Sequence, residues 1–337
     1  MSSSQQKALY RRILVPMDGS ALSEAALEYA KALAAKAGAE VFLLHIVPPQ
    51  GHDTSKPHKL YLDMMADRVK ACIKEERGAD IVEAVVHTVT LVRPTSGQVV
   101  SYSDVEVTDP DDKKVHTIMV LGPTSEQILG YAEDNNIDLI VMATHGRSTA
   151  RRWPLDSVAV SVARCSTVPV RLVRVGAPNQ AVCDEWPDKR IVVLLDGSEA
   201  SEQSLPYIAE HARLCGAAID ILRVYDPSSA AKDYPKAKEA ATWQEHSNRS
   251  LAHQEEEGAI YLDSLRKRLE TEGLKVTTHS ASGDSAEEII KYVSQSAFDL
   301  VAMTTHATCG VGVWPLGSTT DKVLHGASNP LLLVHPK

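Results

Sequence analysis

The nine residues Arg12-Ile-Leu-Val-Pro-Met-Asp-Gly-Ser20 return as Arg190-Ile-Val-Val-Leu-Leu-Asp-Gly-Ser198, an offset of 178. A short, unbroken apolar run suits a strand buried on both faces. The Asp-Gly that follows is turn chemistry, and Ser20 is placed to cap a helix. Leu22, Ala26, Tyr29 and Leu33 then fall on one helical face. A buried strand feeding a helix through Asp-Gly-Ser therefore occurs twice in the chain.

Further matches follow at a different offset. Gly122-Pro-Thr returns as Gly283-Asp-Ser, Ile137-Asp-Leu as Phe298-Asp-Leu, and Met142-Ala-Thr-His145 as Met303-Thr-Thr-His306, all 161 residues apart. Trp153-Pro-Leu matches Trp314-Pro-Leu, and Val168-Pro-Val matches Asn329-Pro-Leu. The first half thus carries 17 extra residues before Gly122. The stretch Arg93–Lys114, with Pro94, Gly97 and Asp109-Pro110 between short β-branched runs, is the predicted insertion, a β-hairpin or exposed loop outside the shared core.

Each half reads as five strands alternating with four helices. In the first, strands are expected at Ile13–Met17, Val41–Val47, Ala84–Val92, Leu139–Ala143 and Val170–Val175. Helices are expected after Ser20 and over Leu60–Arg77, Ser125–Asn135 and Ser157–Cys165. The second half repeats this order with a longer second helix, from about Glu239 to Glu272. Alternation of this kind implies right-handed crossovers and an α/β fold of two doubly wound, five-stranded parallel sheets, one per repeat. The expected domains are residues 1–175 and 190–337, with 176–189 as linker.

Composition narrows the function. At 337 residues, with 44% apolar and 5% aromatic content, the chain can fill two cores built from Ala, Val, Leu and Ile. A net charge of −9 opposes binding to a phosphate backbone. The five cysteines are scattered without C-x-x-C spacing, which argues against a disulfide framework or zinc ribbon and fits a reducing compartment. The N-terminal MSSSQQKALYRR lacks an apolar core segment, and no apolar run reaches about 18 residues. A soluble, cytoplasmic protein with no membrane or nucleic-acid partner is expected.

In an open parallel sheet, ligands bind beyond the carboxyl ends of the strands, where strand order reverses. Two segments of each half belong there. One is the end of the first strand, with Asp18 or Asp196. The other is the loop from fourth strand to last helix, Ala143–Ser157 or Thr304–Ser318. A glycine loop entering a helix offers backbone N–H groups and a positive dipole end to phosphate.

Taken together these strings resemble the universal stress protein family, over nearly all of both halves. The resemblance rests on V-P-x-D-G-S, on L-L-H-x-V in the second strand, on T-H-G-R-S after the fourth, and on the W-x-L-[G/D]-S and P-V-x-L-V elements. It implies the adenine-nucleotide-hydrolase-like fold, an open α/β sandwich. It also implies ATP or another adenine nucleotide as ligand, with Mg²⁺ if the phosphates are held. Nucleotide-binding members carry G-x-x-G-(nine residues)-G-[ST]. Position by position, the first half offers Ala143, Gly146, Asp156 and Ser157, and the second Thr304, Ala307, Gly317 and Ser318. Asp18 and Asp196 match the base-contacting Asp; Ile46 and Val224 match the residue whose backbone faces adenine. Arg147 stands beside the retained Gly146. Asp156 would place a carboxylate near phosphates, costing up to a few kcal/mol at about 4 Å. Thr304 adds a branched side chain where close backbone approach is wanted.

Each of these residues has an ordinary reading as well. Asp18 and Asp196 satisfy turn amides, Ser157 and Ser318 cap helices, and Arg152 pairs with Asp156 at i,i+4. His145 and His306 recur without a legible carboxylate or thiol partner, so a loop hydrogen bond accounts for them. The motifs S-G-G-x-D-S, H-I-G-H, G-x-S-x-G and H-E-x-x-H are all absent. The expectation is a non-catalytic stress-response protein that binds an adenine nucleotide weakly. The alternatives are an interaction module with no nucleotide and, last, an ATP-using enzyme. Pairing of the repeats within the chain and a homodimer are the assemblies a tandem domain suggests.

Overall fold

A computed structural model of the chain describes residues 9–47, 55–77, 86–92, 105–108, 114–119, 124–145, 158–175, 188–226, 243–305 and 316–336. The chain divides into two compact units, Met1–Pro187 and Asp188–Pro336.

The first unit runs β1 (Arg12–Met17), α1 (Ala21–Ala37), β2 (Glu40–Val47), α2 (Ser55–Arg77), β3 (Val86–Val92), β4 (Val105–Thr108), β5 (Lys114–Met119), α3 (Thr124–Asp134), β6 (Leu139–His145), α4 (Val158–Cys165) and β7 (Val170–Val175). Its strand order is β7-β6-β1-β2-β3-β5-β4. The five strands from β7 to β3 are parallel, as predicted, and Ile13, Leu14 and Val15 of the central β1 are fully buried. The expected five-stranded sheet is nonetheless too small for this unit. β5 adds to the edge parallel to β3, from Thr88↔Val115 to Val92↔Met119, and β4 returns antiparallel to β5. The inserted region does form a hairpin, but one that extends the sheet. An edge strand has a free row of N–H and C=O groups, and β5 satisfies those of β3.

The second unit runs β8 (Arg190–Leu194), α5 (Glu199–Glu202), α6 (Leu205–Cys215), β9 (Ala218–Tyr225), α7 (Trp243–Thr271), β10 (Lys275–Ser282), α8 (Ser285–Gln295), β11 (Leu300–Thr304), α9 (Ser318–Gly326) and β12 (Leu331–Val334). Five parallel strands take the order β10-β9-β8-β11-β12. Strand order reverses between β8 and β11, which makes the carboxyl end of that pair the switch point.

Two differences between the units have plain causes. The single first helix expected of both is continuous only in α1, where Ser20 Oγ accepts the Ser23 N–H at 3.2 Å and Gly38, at φ 70°, ends the helix. In the second unit it breaks into α5 and α6. Pro206 has no N–H to donate to the carbonyl of Glu202, and its ring crowds that turn. The second difference lies in the loops. Only Gly283 and Asp284 stand between β10 and α8, whereas β4 and β5 both stand between β3 and α3.

Asp138 and Asp299 explain the repeated Asp-Leu string. Asp138 Oδ2 accepts the N–H groups of Arg11 (3.1 Å) and Arg12 (3.0 Å). Asp299 Oδ2 accepts those of Lys189 and Arg190, both at 2.9 Å. In each unit a carboxylate just before β6 or β11 fixes the start of β1 or β8. Among the described cysteines, Cys72 and Cys215 form no disulfide, but Cys165 at the end of α4 is disulfide-bonded. Separation along the chain did not reveal that bond, and the cysteines therefore no longer argue for a reducing compartment. Among the described residues, no helix is long and apolar enough to cross a membrane.

Candidate functional site

Beyond the carboxyl ends of β8, β9 and β11 the second unit holds a cleft of about 280 Å³. All four site residues predicted for this half line it: Asp196 after β8, Val224 near the end of β9, and Gly317 and Ser318 where α9 begins. Thr304, the last residue of β11, lines it too. Leu194, Leu222, Ile289 and Met303 give it an apolar floor. Asp196 is the one titratable side chain among the described lining residues.

The Asp-Gly-Ser turn is tightly built. Ser198 N–H donates to Asp196 Oδ1 at 2.8 Å, and Ser198 Oγ in turn accepts the Ser201 N–H at 3.1 Å. Gly197 has φ +92°, a conformation that glycine adopts freely and other residues resist. Across the cleft, Thr320 Oγ1 donates to the Thr304 carbonyl at 3.4 Å, joining the first turn of α9 to the end of β11.

Gly317 is a different kind of glycine. It is the N-cap of α9, with φ −44° and ψ 143°, angles open to any residue, and a Cβ built there would meet nothing within 4 Å. The backbone does not require glycine here. Its consequence is chemical: Gly317 contributes no side-chain cap, so among the described residues the first N–H groups of α9 are open to another acceptor.

In the first unit Asp18 follows the end of β1, and Ile46 is the penultimate residue of the adjacent parallel β2, one beyond the Met17–His45 pair. Asp18 Oδ1 accepts from Ser20 N–H at 2.9 Å and from Ser20 Oγ–H at 2.6 Å. Burial pushes this carboxyl up, but the Ser20 and Ser23 hydrogen bonds outweigh it and hold the pKa below the usual value. Gly146, Arg147 and Ser157, with Asp156, Ala307 and His306, lie outside the described residues. His145 ends β6, and its side chain is likewise outside them. Of the first loop only Ala143, in β6, is among the described residues; of the second, Thr304, Gly317 and Ser318 are, and all three line the cleft.

Behind each turn stands a cluster that the sequence did not reveal. Tyr61 of α2 sits edge-on to His45 of β2, ring centroids 6.4 Å apart, and His45 Nδ1 donates to the Met17 carbonyl at 2.6 Å. Tyr261 of α7 stacks with the Arg223 guanidinium at 5.3 Å, and Arg223 also lies over the Tyr225 ring at 5.1 Å. Both tyrosine hydroxyls are buried without a well-formed hydrogen bond, although Ser23 is close to one and Glu202 to the other. Burial first, then nearby carboxylates, raises both phenol pKa values. The overlooked signal is a register: Leu62, Met65 and Val69 of α2, all buried, recur as the buried Leu262, Leu265 and Leu269 of α7.

This arrangement of turn, switch point and helix N-terminus, twice in one chain, has matches among known proteins. The model of the Universal stress protein family matches residues 9–174 and again residues 188–335. The chain belongs to that family. Among curated relatives, a universal stress protein of Methanocaldococcus jannaschii is 28% identical over 146 residues, 43% of this chain and 81% of its own. A second universal stress protein of that organism is 27% identical over 155 residues, 44% of this chain and 96% of its own. A crystal structure of a universal stress protein from Archaeoglobus fulgidus covers 98% of this chain and 99% of that one, with TM-score 0.59 and 18% identity. A putative universal stress protein from Pseudomonas aeruginosa covers 97% and 94%, at TM-score 0.59 and 16% identity. At such identities these two structures show a shared fold over both units.

Proposed function

We propose that the chain is a non-catalytic stress-response protein that binds an adenine nucleotide in the cleft of its second unit. The observation that carries this is Gly317. Neither its dihedral angles nor its surroundings call for glycine, yet it leaves the N-terminus of α9 open toward a cleft whose opposite wall holds Asp196. That wall offers a carboxylate to the amino or hydroxyl groups of a base or ribose, and the α9 wall offers N–H donors to a phosphate. Leu222, Val224 and Ile289 supply apolar surface for the base between them.

The non-catalytic reading rests on the lining chemistry. The described residues that line the cleft include no His, Lys or Cys that could act as base or nucleophile. Mg²⁺ would enter only with a polyphosphate ligand. The net charge of −9 supports exclusion of nucleic acid; a cytoplasmic location and self-association as a homodimer belong to the same proposal. Calorimetric titration of the full chain with adenosine, AMP, ADP and Mg-ATP tests the reading. Saturable binding of one of them that is lost in Asp196→Ala supports it. Absence of binding by all four would replace it with the interaction-module reading.

A further inference from the structure

The outward faces of α2 and α7 differ in apolar content and in the order of their charges. Leu60 and Met64 stand one turn apart on α2, 63% and 56% exposed. Leu60, Met64, Asp67, Ala71 and Lys74 follow one another at alternating steps of four and three residues, the spacing of a seam that packs against a second helix. The opposite face, with Leu62, Met65, Val69 and Ile73, is buried within the first unit. A single exposed leucine is ordinary. Two stacked apolar residues at the head of a seam call for a closer look at the charges around them.

Those charges are sorted by sign along the helix. Asp63 and Asp67 come first, Lys70 and Lys74 after them, and Asp67 and Lys74 are fully on the exposed side. Within each pair the two residues are four apart, so like charges are neighbours, an arrangement that destabilises an isolated helix. Among the described residues none of the four has an ion-pair partner. The helix dipole does not account for the order, because its influence is confined to the terminal turns and Asp63, Asp67 and Lys70 lie inside α2.

The second unit shows the alternative. In the register that matches Tyr61 with Tyr261, Leu60 corresponds to Ile260, itself 68% exposed, and Met64 to Ser264. Asp63 is kept as Asp263, but Asp67 and Lys70 become Lys267 and Glu270, each of opposite sign. On α7 the charges close on one another. Lys267 Nζ lies 2.6 Å from Asp263 Oδ2, and Arg266 reaches Asp263 at 2.6 Å and Glu270 at 3.2 Å. The outward face of α7 is thus satisfied by its own helix, while α2 keeps a second apolar residue and leaves its sorted charges open.

We infer that the outward face of α2 is a self-association surface, on which α2 of a second copy of this chain packs antiparallel about a two-fold axis. Charge selects this pairing. Antiparallel helices set Asp63 and Asp67 of one copy against Lys74 and Lys70 of the other, and symmetry repeats the contacts; parallel helices would set like against like. In the same register Met64 lies on the methylene stem of Lys74 of the other copy, beside Ala71, whose small side chain permits close approach. One helix pair is a small interface, so the dimer exchanges with monomer and depends on concentration. The inference rests on the self-association reading given above, assigns it a surface, and is independent of the nucleotide.

Sedimentation equilibrium of the full chain without nucleotide, over a wide range of concentration, provides the test. The parent chain should show a monomer–dimer equilibrium that weakens several-fold in 1 M salt. Met64→Glu should raise the dissociation constant at least tenfold; should it fail to fold, as shown by circular dichroism, Leu60→Ser takes its place. Two charge variants decide the geometry. Asp63→Lys with Asp67→Lys makes the face wholly basic, and Lys70→Glu with Lys74→Glu makes it wholly acidic. Each alone should be monomeric, and the two mixed should form a dimer of about the parent's affinity. A parent chain that stays monomeric throughout, or a mixture that does, would overturn the inference. A dimer indifferent to all these substitutions would overturn it as well, while leaving self-association through another surface. None of these outcomes alters the nucleotide titration, so the two readings stand or fall separately.

Discussion

Arg268 of α7 donates to Glu202 of α5 at 3.0 Å, and its counterpart Arg68 of α2 donates to Glu24 of α1 at 2.8 Å and to Glu28 at 2.7 Å. The same ion pair thus joins second helix to first helix in both units. Two turns earlier on each second helix stands the tyrosine, Tyr261 or Tyr61, that packs behind the Asp-Gly-Ser turn. Arginine and tyrosine together seat one helix against the N-terminus of the other, and so hold the turn that presents Asp196 or Asp18.

These pairs are half exposed, and exposed ion pairs contribute little. A double-mutant cycle on Arg268→Ala and Glu202→Ala should give a coupling energy of about 0.2–1 kcal/mol, reduced in 1 M salt. Arg68, which reaches two carboxylates, should couple more strongly to Glu24 and Glu28 taken together. A coupling above about 2 kcal/mol for Arg268 would contradict the exposed geometry.

The tyrosines should behave differently from the arginines. Tyr261 buries its hydroxyl without a well-formed hydrogen bond, so Tyr261→Phe discards a polar group that gains little from the fold. Chemical denaturation should show Tyr261→Phe within about 1 kcal/mol of the parent chain. Tyr261→Ala, which opens a cavity beneath α7 and removes the surface on which Arg223 stacks, should cost about 3 kcal/mol or more. Equal losses in the two variants would show that the hydroxyl is the important part.

Much of this was legible in the sequence, and the limits have identifiable causes. Strings whose residues are individually demanded by local physics stood out at once. Asp-Gly-Ser needs a left-handed glycine and a cap, with φ +81° at Gly19 and +92° at Gly197, and the buried Asp299 needs two N–H donors. The second helices were expected in both halves, but their residue-by-residue register was missed because their packing asks only for apolar residues in the right phase, and Met65 can stand for Leu265. Two opposite length changes also hid behind one small net surplus: the first unit is longer between β3 and α3, and the second between β9 and the matching part of α7. The break at Pro206 was readable from the residue alone, since proline inside a helical pattern removes a hydrogen bond. The four residues predicted for the second unit line one cleft because Asp196 and Val224 stand at strand ends, which the buried apolar runs locate well, and Gly317 and Ser318 open the helix that follows β11.

The paired roles of Asp138 and Asp299 predict a stability effect far from the cleft. Asp299 is 8% exposed and its Oδ2 accepts two backbone N–H groups. Asp299→Ala would leave both donors unsatisfied, at a cost of about 2–3 kcal/mol, while Asp299→Asn keeps an acceptor and should lose about half of that. Hydrogen exchange should show the loss first at the amides of Lys189 and Arg190. Protection there unchanged from the parent would refute the assignment.

Asp18 should leave a signature in pH dependence. Its folded pKa is depressed by the Ser20 and Ser23 hydrogen bonds against the opposing effect of burial. A depressed carboxyl stabilises the fold above its unfolded pKa, and that contribution is lost as pH falls through the lower, folded pKa. A carboxyl-carbon NMR titration should therefore place Asp18 below the ordinary aspartate value of 3.8, and Ser20→Ala should move the midpoint upward. A midpoint above 3.8 in the parent chain would mean that burial wins.

The last prediction sets the two glycines of the second-unit cleft against each other. Gly197 has φ +92°, and a Cβ there would come within 3.0 Å of the Arg223 guanidinium. Gly197→Ala must therefore adopt a left-handed backbone and also displace a side chain stacked between Tyr225 and Tyr261. About 1–2 kcal/mol of lost stability is expected from the backbone alone. Gly317→Ala meets neither obstacle: φ is −44° and the space around a Cβ is open. Its stability without ligand should match the parent within about 0.5 kcal/mol, the usual range for a substitution away from such features. Ligand affinity should show the reverse sensitivity, because the added methyl of Gly317→Ala enters the space beside the open N–H groups of α9. A variant that is as stable as the parent but binds AMP several-fold more weakly would mark Gly317 as kept for the ligand. If instead Gly317→Ala unfolds as readily as Gly197→Ala and binds as well as the parent, the glycine serves the backbone after all, and the N-terminus of α9 is not where the phosphate sits.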